Sequence, residues 1–306
     1  AIMANNLDWT APVSAIEFLR DIGKHFSVNQ MLAKDSVASR LESGGISYTE
    51  FSYQVMQAFD YLELFRRHNC ALQIGGSDQW GNIVAGVDLI RRVEAKSAHA
   101  LTIPLLAKAD GTKFGKTAEG AIWLDPTMTS AYALFQFFLN SDDRDVEQLL
   151  KTFSFKSRSE LEALFESLKT NPGAREAHRE LAREVTTLLH GADQAQKVEA
   201  AAKALFGQGE IRDLDIETLK SALAELPKTK IKKGAEIPSW VDLITSSGVV
   251  ESKSAARRVI KEGGAYLNNE KITGEDFTPK SSDLLHGQFL LLRKGKRDLV
   301  AVEITE

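Results

Sequence analysis

Two stretches decide how this chain is read: LQIGGSDQWGN at residues 72–82 and ADGTKFGKT at residues 109–117. The first ends a short apolar run in Gly75-Gly76 and opens a helical pattern with Ser77-Asp78. Glycines after a strand let a ligand approach the backbone, and the first N–H groups of the helix that follows attract anions. The second is a lysine-rich loop interrupted by glycine, whose charge demands a polyanion. Together they describe a nucleotide lying on the C-terminal edge of a parallel sheet. The same glycine turn is also satisfied as a tight βα junction capped by Ser77 or Asp78, with no ligand at all. On those residues alone both readings stay open.

Working outward, residues 71–74 form a strand pattern, 77–94 a helix and 100–106 a second strand. Strand, glycine turn, helix and strand is half of a doubly wound α/β unit. Upstream, Ile16, Leu19 and Ile22 mark an amphipathic helix that Gly23 should stop. A second helix enters through Thr49-Glu50 and buries Phe51, Val55, Phe59 and Leu62. Tyr53, Gln57 and Asp60, spaced by four and then three, share a different face of it. A polar helix face is ordinarily solvated. Here a phenol, an amide and a carboxylate next in sequence to an anion-attracting turn make it a candidate binding face. From 129 to 226 the pattern turns helical, with helices expected at 132–139, 175–189 and 194–205 and glycine stops at Gly191, Gly207 and Gly209. Residues 228–236, carrying Lys228, Lys230, Lys232 and Lys233, suggest a linker. The remainder predicts two short helices and strands at 265–267 and 289–292.

An apolar fraction of 43% and a charged fraction of 26% are those of an ordinary globular protein. The net charge of −4 gives no global attraction to nucleic acid, so any RNA contact must come from a local patch. Lys253, Arg257 and Lys261 supply one at i, i+4 and i+8, with Arg258 beside them. From residue 237 onward basic and acidic residues balance at ten each, so the stripe, not the net charge, points to RNA. A single cysteine, Cys70, excludes an internal disulfide framework and reads as an inert buried thiol. No apolar run approaches the roughly 18 residues of a membrane span, and no metal-ligand spacing is present. Phe135 to Phe138 reads as helix core. The expected location is the cytoplasm. The sequence opens with Ala1-Ile2-Met3, which suggests a chain beginning in mid-protein.

The lysine loop is not a P-loop. Gly111 and Gly115 are separated by three residues rather than four, and no helix signal follows Thr117.

The set as a whole resembles bacterial tyrosyl-tRNA synthetase, a class I aminoacyl-tRNA synthetase. The likeness rests on GGSDQWGN, the FSYxxxQxxD helix and KFGKT, and extends to NNLDW at residues 5–9, FLRDIGKHFSVN at 18–29 and IWLDP at 122–126. The C-terminal SKSAARRVIKEGGAYLNN is similar to the S-four-like RNA-binding module that ends this enzyme. The resemblance implies that Tyr53 and Gln57 hold the tyrosine ammonium, that Asp60 binds its phenol and that Gln79 lies near its carboxylate. It implies Gly75, Gly76 and Asp78 at the ATP ribose, and Lys113, Lys116 and Thr117 as the catalytic groups at the pyrophosphate. The substrates would be L-tyrosine, ATP with Mg²⁺, and tRNA(Tyr), the last met by Lys253, Arg257, Arg258 and Lys261 in an enzyme that works as a homodimer. No membrane partner or tightly bound cofactor is implied.

One departure stands out. The family carries an HxGH-type motif in the first half of its nucleotide fold, and His25, His68, His99, His178, His190 and His286 include no pair at that spacing. The expected organisation is therefore the second half of a Rossmann-like catalytic domain at 1–126, an α-helical anticodon-recognition domain at 127–227, the linker at 228–236 and an S-four-like domain at 237–306. Such a fragment is expected to be inactive alone. The alternative is an RNA-binding module whose nucleotide-fold remnant is inert.

Overall fold

The longest helix, α1 (Tyr48–His68), begins where Ser47 and Glu50 close a capping box, each side chain accepting from the other's backbone N–H. It ends on Asn69 in the left-handed region (φ 52°), with Arg66, Arg67 and His68 in the last turn facing the negative end of the helix dipole. Serine 47, one turn before Glu50, is the entry signal, two residues earlier than Thr49. The structure is a computed structural model and describes residues 1–33, 37, 40, 41, 44–112, 114–117 and 120–305, with the backbone alone at 116, 117 and 120. The chain divides into two units, residues 1–107 and 108–306.

In the first unit, β1 (Leu72–Gly76) leads through a 3-10 turn (Ser77–Gln79) into α2 (Trp80–Glu94) and then β2 (His99–Ile103). The two strands pair in parallel from Leu72 opposite His99 to Gly76 opposite Ile103, the expected strand–helix–strand crossover. Val55, Phe59 and Leu62 of α1 pack with Leu89 and Ile90 of α2 and with Trp9. Leu62, Leu89 and Ile90 are at most 1% exposed, and each contributes about 1.5–3 kcal/mol through burial. Tyr61 is wholly buried and its hydroxyl donates to the His99 carbonyl at 2.8 Å, tying α1 to β2. Burial raises the Tyr61 pKa, which keeps it a neutral donor. Glu63, also buried, is paired with Arg66 and Arg67 at 2.9 Å each, and Arg66 reaches Glu94 of α2 at 2.7 Å. Leu72, Ile74, Leu101 and Ile103 stay largely exposed on the sheet. The helix expected to stop at Gly23 instead passes from Ala15–Glu17 through a π turn (Phe18–Ile22) into a 3-10 turn (Gly23–His25).

The second unit starts earlier than the expected boundary at 126, because residues 108–122 pack on its helices. This segment includes the small hairpin of β3 (Lys116–Thr117) and β4 (Gly120–Ala121). Helices α3 (Ala131–Leu139), α4 (Asp143–Phe153), α5 (Arg158–Thr170), α6 (Glu176–His190), α7 (Ala192–Leu205) and α8 (Ile216–Ala224) follow. Phe135 and Phe138 lie in their core, as the sequence suggests. His178 is fully buried, and burial and then Arg175 hold its pKa below the usual histidine range, despite Asp143 at 3.0 Å.

The segment expected as a linker is a strand. Residues Lys228–Lys232 form β5, which pairs in parallel with β9 (Asp298–Thr305), because Ile231 is an alternate apolar residue that the core buries while the lysines stay outside. The full sheet has the order β5-β9-β8-β6-β7, with β6 (Ala265–Leu267), β7 (Glu270–Lys271) and β8 (Phe289–Lys294). Helices α9 (Trp240–Ser246) and α10 (Lys253–Lys261) share its core, centred on Trp240, whose indole donates to the Tyr266 carbonyl at 3.1 Å. Asn269 donates to the Ala204 carbonyl at 2.6 Å and a His286 ring nitrogen lies 2.7 Å from the Leu214 carbonyl, so helices and sheet meet through polar contacts.

A Cβ added at Gly86 would lie 2.7 Å from the Tyr61 ring, closer than packed atoms approach. Gly86→Ala should therefore destabilise the first unit by about 1–3 kcal/mol, read from denaturant unfolding.

Candidate active site

The polar face of α1 is graded. Tyr53 is 56% exposed, while Gln57 and Asp60 are half-buried. Asp60 is held by two donors: the Trp9 indole at 2.8 Å on one carboxylate oxygen and the Asn6 side-chain amide at 3.1 Å on the other. Trp9 is itself buried, so the carboxylate is fixed from the protein side. Sequence reasoning quoted Asn6 and Trp9 only inside a motif and gave them no role. Their signal was an indole and an amide close together in the chain, each able to donate to a carboxylate. Gln57 on α1 and Gln73 on β1 each bury a side-chain carbonyl oxygen that no protein group pairs. Leaving a buried acceptor unmade costs about 1–3 kcal/mol, so each is ready to accept a donor from a ligand.

At the end of β1, the glycines fit closely against their neighbours. A Cβ at Gly75 would meet Ile83 at 2.9 Å and Gln79 at 3.2 Å, and one at Gly76 would meet Asp78 Oδ1 at 2.6 Å and Leu105 at 2.8 Å. Gln79 donates to Asp78 at 3.0 Å and accepts from Asn82 at 3.2 Å, which orients both side chains at the start of α2. Among the described residues no hydrogen bond joins this group to Tyr53, Gln57 or Asp60.

Lys113 lies outside the described residues, as do the side chains of Lys116 and Thr117. The backbone at 116–117 runs as β3 into a hairpin and not into a helix, in line with rejection of a P-loop. The flank of the loop is ordered by Asp110, which accepts from both the backbone and the hydroxyl of Thr112, and these bonds lower its pKa.

On α10, Lys253, Arg257, Arg258 and Lys261 are all exposed. Ser252 caps the helix, so the stripe stands on a regular surface. Lys253 pairs with Asp242 at 2.6 Å and Lys261 with Glu275 at 3.3 Å. No such ion pair engages Arg257 or Arg258 among the described residues. Cys70 is half-buried rather than buried, its thiol 3.5 Å from the Leu72 carbonyl. No group of three His, Cys, Asp or Glu among the described residues is placed to hold a metal, and no helix is long and apolar enough to cross a membrane.

Residues 1–207 match the family described as tRNA synthetases class I (W and Y). This gives the chain the class of that fold and site: a class I tRNA synthetase catalytic domain followed by further C-terminal structure. Residues 218–302 match the tyrosine–tRNA ligase SYY-like C-terminal domain. The chain is 61% identical over 307 residues to the tyrosine–tRNA ligase of Streptomyces coelicolor, covering 100% of this chain and 72% of that protein. It is 53% identical over 305 residues to the one from Corynebacterium glutamicum, covering 99% and 72%. Among solved structures it is similar to a C-terminally truncated mitochondrial tyrosyl-tRNA synthetase of Aspergillus nidulans (TM-score 0.56, 35% identity, 66% of this chain and 57% of that one). The corresponding truncated enzyme of Coccidioides posadasii gives a TM-score of 0.55 at 35% identity over 63% of this chain and 56% of that one. The chain belongs to the tyrosyl-tRNA synthetase family.

The atoms that a Gly76 Cβ would meet are the ends of mobile side chains. Gly76→Ala should thus cost no more than about 0.5–1 kcal/mol of stability, yet break the Gln79–Asp78 hydrogen bond by turning Asp78 away. Unfolding curves and a crystal structure of the variant read the two effects separately.

Proposed function

We propose that this chain supplies the tyrosine-binding helix, the ribose-binding turn, the phosphate loop and the RNA-binding surfaces of a tyrosine–tRNA ligase. The reaction is ATP-dependent. A tyrosine carboxylate oxygen attacks the α-phosphorus, the bond to the bridging oxygen breaks, and pyrophosphate leaves. A hydroxyl of the terminal tRNA ribose then attacks the activated carbonyl, and AMP departs. No protein nucleophile is needed, so catalysis consists of positioning and of stabilising charge that grows on the phosphates.

The observation that carries this reading is Asp60, a half-buried carboxylate held by Trp9 and Asn6. An acceptor fixed in this way suits the phenolic hydroxyl of tyrosine. The unpaired Gln57 carbonyl oxygen suits the substrate ammonium, with Tyr53 one turn away. Gln79 serves the carboxylate, and Gly75, Gly76 and Asp78 the ATP ribose, where an absent Cβ supports close approach. Lys113, Lys116 and Thr117 act on the pyrophosphate by residue type and sequence context. Mg²⁺ enters with ATP as the counter-ion of its phosphates. The family's HxGH histidines have no counterpart in these 306 residues, so we assign the opposite side of the phosphate site to groups outside them. The first unit then corresponds to the second half of a Rossmann-like domain, a reading its parallel β1–α2–β2 crossover supports. Residues 127–227 form the anticodon-recognition domain and 237–306 an S-four-like RNA-binding domain. The complete enzyme works as a cytoplasmic homodimer.

Specificity tests the assignment of Asp60. Phenylalanine would leave this carboxylate without its donor, and a hydrogen bond to a charged group contributes about 1.5–3 kcal/mol. Asp60→Ala in an enzyme completed with the missing strands should reduce the tyrosine-over-phenylalanine ratio of kcat/KM at least tenfold. An unchanged ratio removes Asp60 from the phenol site.

RNA binding tests the second half of the reading. The Arg257→Ala, Lys261→Ala double variant should bind tRNA more weakly, with a salt dependence shallower by about one to two units of slope. An unaltered slope leaves α10 as a solvated face.

A further inference from the structure

The loop that carries Lys113 and Lys116 is fastened to the helical part of its own unit at two points on either side of its first lysine. Before it, the backbone N–H of Ala109 donates to Asp145 Oδ1 at 2.6 Å. Asp145 is 9% exposed, sits in the first turn of α4, and is the acidic member of that turn which turns inward. After it, the Phe114 ring enters an aromatic cluster, with centroids 5.5 Å from Phe137, 6.0 Å from Phe138 and 5.8 Å from Phe153. Between these anchors the chain is stiffened by Lys108 N–H to the Thr112 carbonyl and by Gly111 N–H to the Lys108 carbonyl, both 2.8 Å. Beyond them Ile122 N–H donates to the Gly115 carbonyl at 3.1 Å, closing the β3–β4 hairpin.

We infer that Asp145 and Phe114 are positioning residues that hold the lysine loop against α3 and α4, so that the phosphate-binding groups are fixed by the helical region. This rests on the proposal that the loop lysines meet phosphate. The physical case is one of entropy. A loop with two lysines has every reason to move in water, and ordering its backbone costs about 1–2 kcal/mol per residue. A buried carboxylate aimed at one N–H and a ring in an aromatic cluster offset that cost beforehand. Neither group touches substrate in this role. Each acts only through the lysines next to it, Phe114 directly between Lys113 and Lys116. Because α4 belongs to the helical region proposed to read the anticodon, the anchors also give that region a mechanical hold on the phosphate loop.

The test uses the chain as it stands, with two readouts. Amide hydrogen exchange over residues 108–122 should accelerate at least about tenfold in Asp145→Ala and in Phe114→Ala, while exchange in α10 and β8 is unchanged. Asp145→Asn keeps a side-chain oxygen for Ala109 N–H and should restore most of the protection. Inorganic pyrophosphate, with Mg²⁺, is the binding probe, followed by calorimetry. Lys116→Ala should weaken it severalfold, Asp145→Ala should weaken it too, and the double variant should bind no worse than Lys116→Ala alone, because Asp145 works through the loop. Unchanged exchange at 108–122 in Asp145→Ala, or additive losses in the double variant, overturns the positioning role. If the parent chain fails to bind pyrophosphate, or Lys116→Ala binds it normally, the phosphate reading of the loop falls instead, and the exchange data alone decide whether the loop is anchored.

Discussion

The first unit depends on one wholly buried phenol. Tyr61 lies against Gly86 of α2, where any larger residue would collide, and donates its hydroxyl to the His99 carbonyl of β2. A single side chain thus sets the distance from α1 to both the crossover helix and the second strand. Asp60 is the next residue along the helix, so its direction follows from the way Tyr61 is seated. The cost of burying a hydroxyl is met by a hydrogen bond, and its raised pKa keeps it a donor. Packing and polar satisfaction agree at this point, which is why the polar face of α1 is presented in a fixed orientation.

Asp60 illustrates how a recognition group is prepared before its ligand arrives. A carboxylate in water keeps many orientations and pairs weakly. With an indole on one oxygen and an amide on the other, both sides of this one are committed, and the remaining lone pairs have defined directions. The unpaired Gln57 and Gln73 oxygens are the complement: acceptors that folding leaves unsatisfied. Both cost stability in the empty protein, and a ligand donor would recover that cost.

The second unit shows how polar seams and apolar cores divide the work. Trp240, Leu290, Leu292, Val300 and Val302 close the C-terminal core without charge, and the helical region closes another around Phe135 and Leu181. Between them the printed contacts are hydrogen bonds from Asn269 and His286 to carbonyls near helix ends, where backbone acceptors lack intrahelical partners. The basic stripe on α10 stays in solvent, with half its charge already paired to Asp242 and Glu275. Arg257 and Arg258 are the members without an acidic neighbour among the described residues.

Local signals in the sequence were enough for the elements with strong periodicity. The 3.6-residue pattern of Phe51, Val55, Phe59 and Leu62, the glycine break after residue 74 and the helical run beyond 129 each report a preference that neighbours within one or two turns already decide. They also placed Tyr53, Gln57 and Asp60 on one face, and the family's motifs supplied their proposed roles. Tertiary structure decided what depends on distant partners. The lysines from 228 to 233 have the composition of a linker, yet Ile231 is buried against a sheet assembled from residues some seventy positions later, and that burial makes a strand. Gly23 did not stop its helix, and the division near residue 107 followed Phe114 and Asp145, whose partners lie on helices beyond it. The roles of Trp9 and Asn6 came from a separation of about fifty residues, which no local pattern encodes. Propensity and periodicity are properties of a window, whereas a hydrogen bond or ring contact across the fold exists only once the chain has brought both ends together.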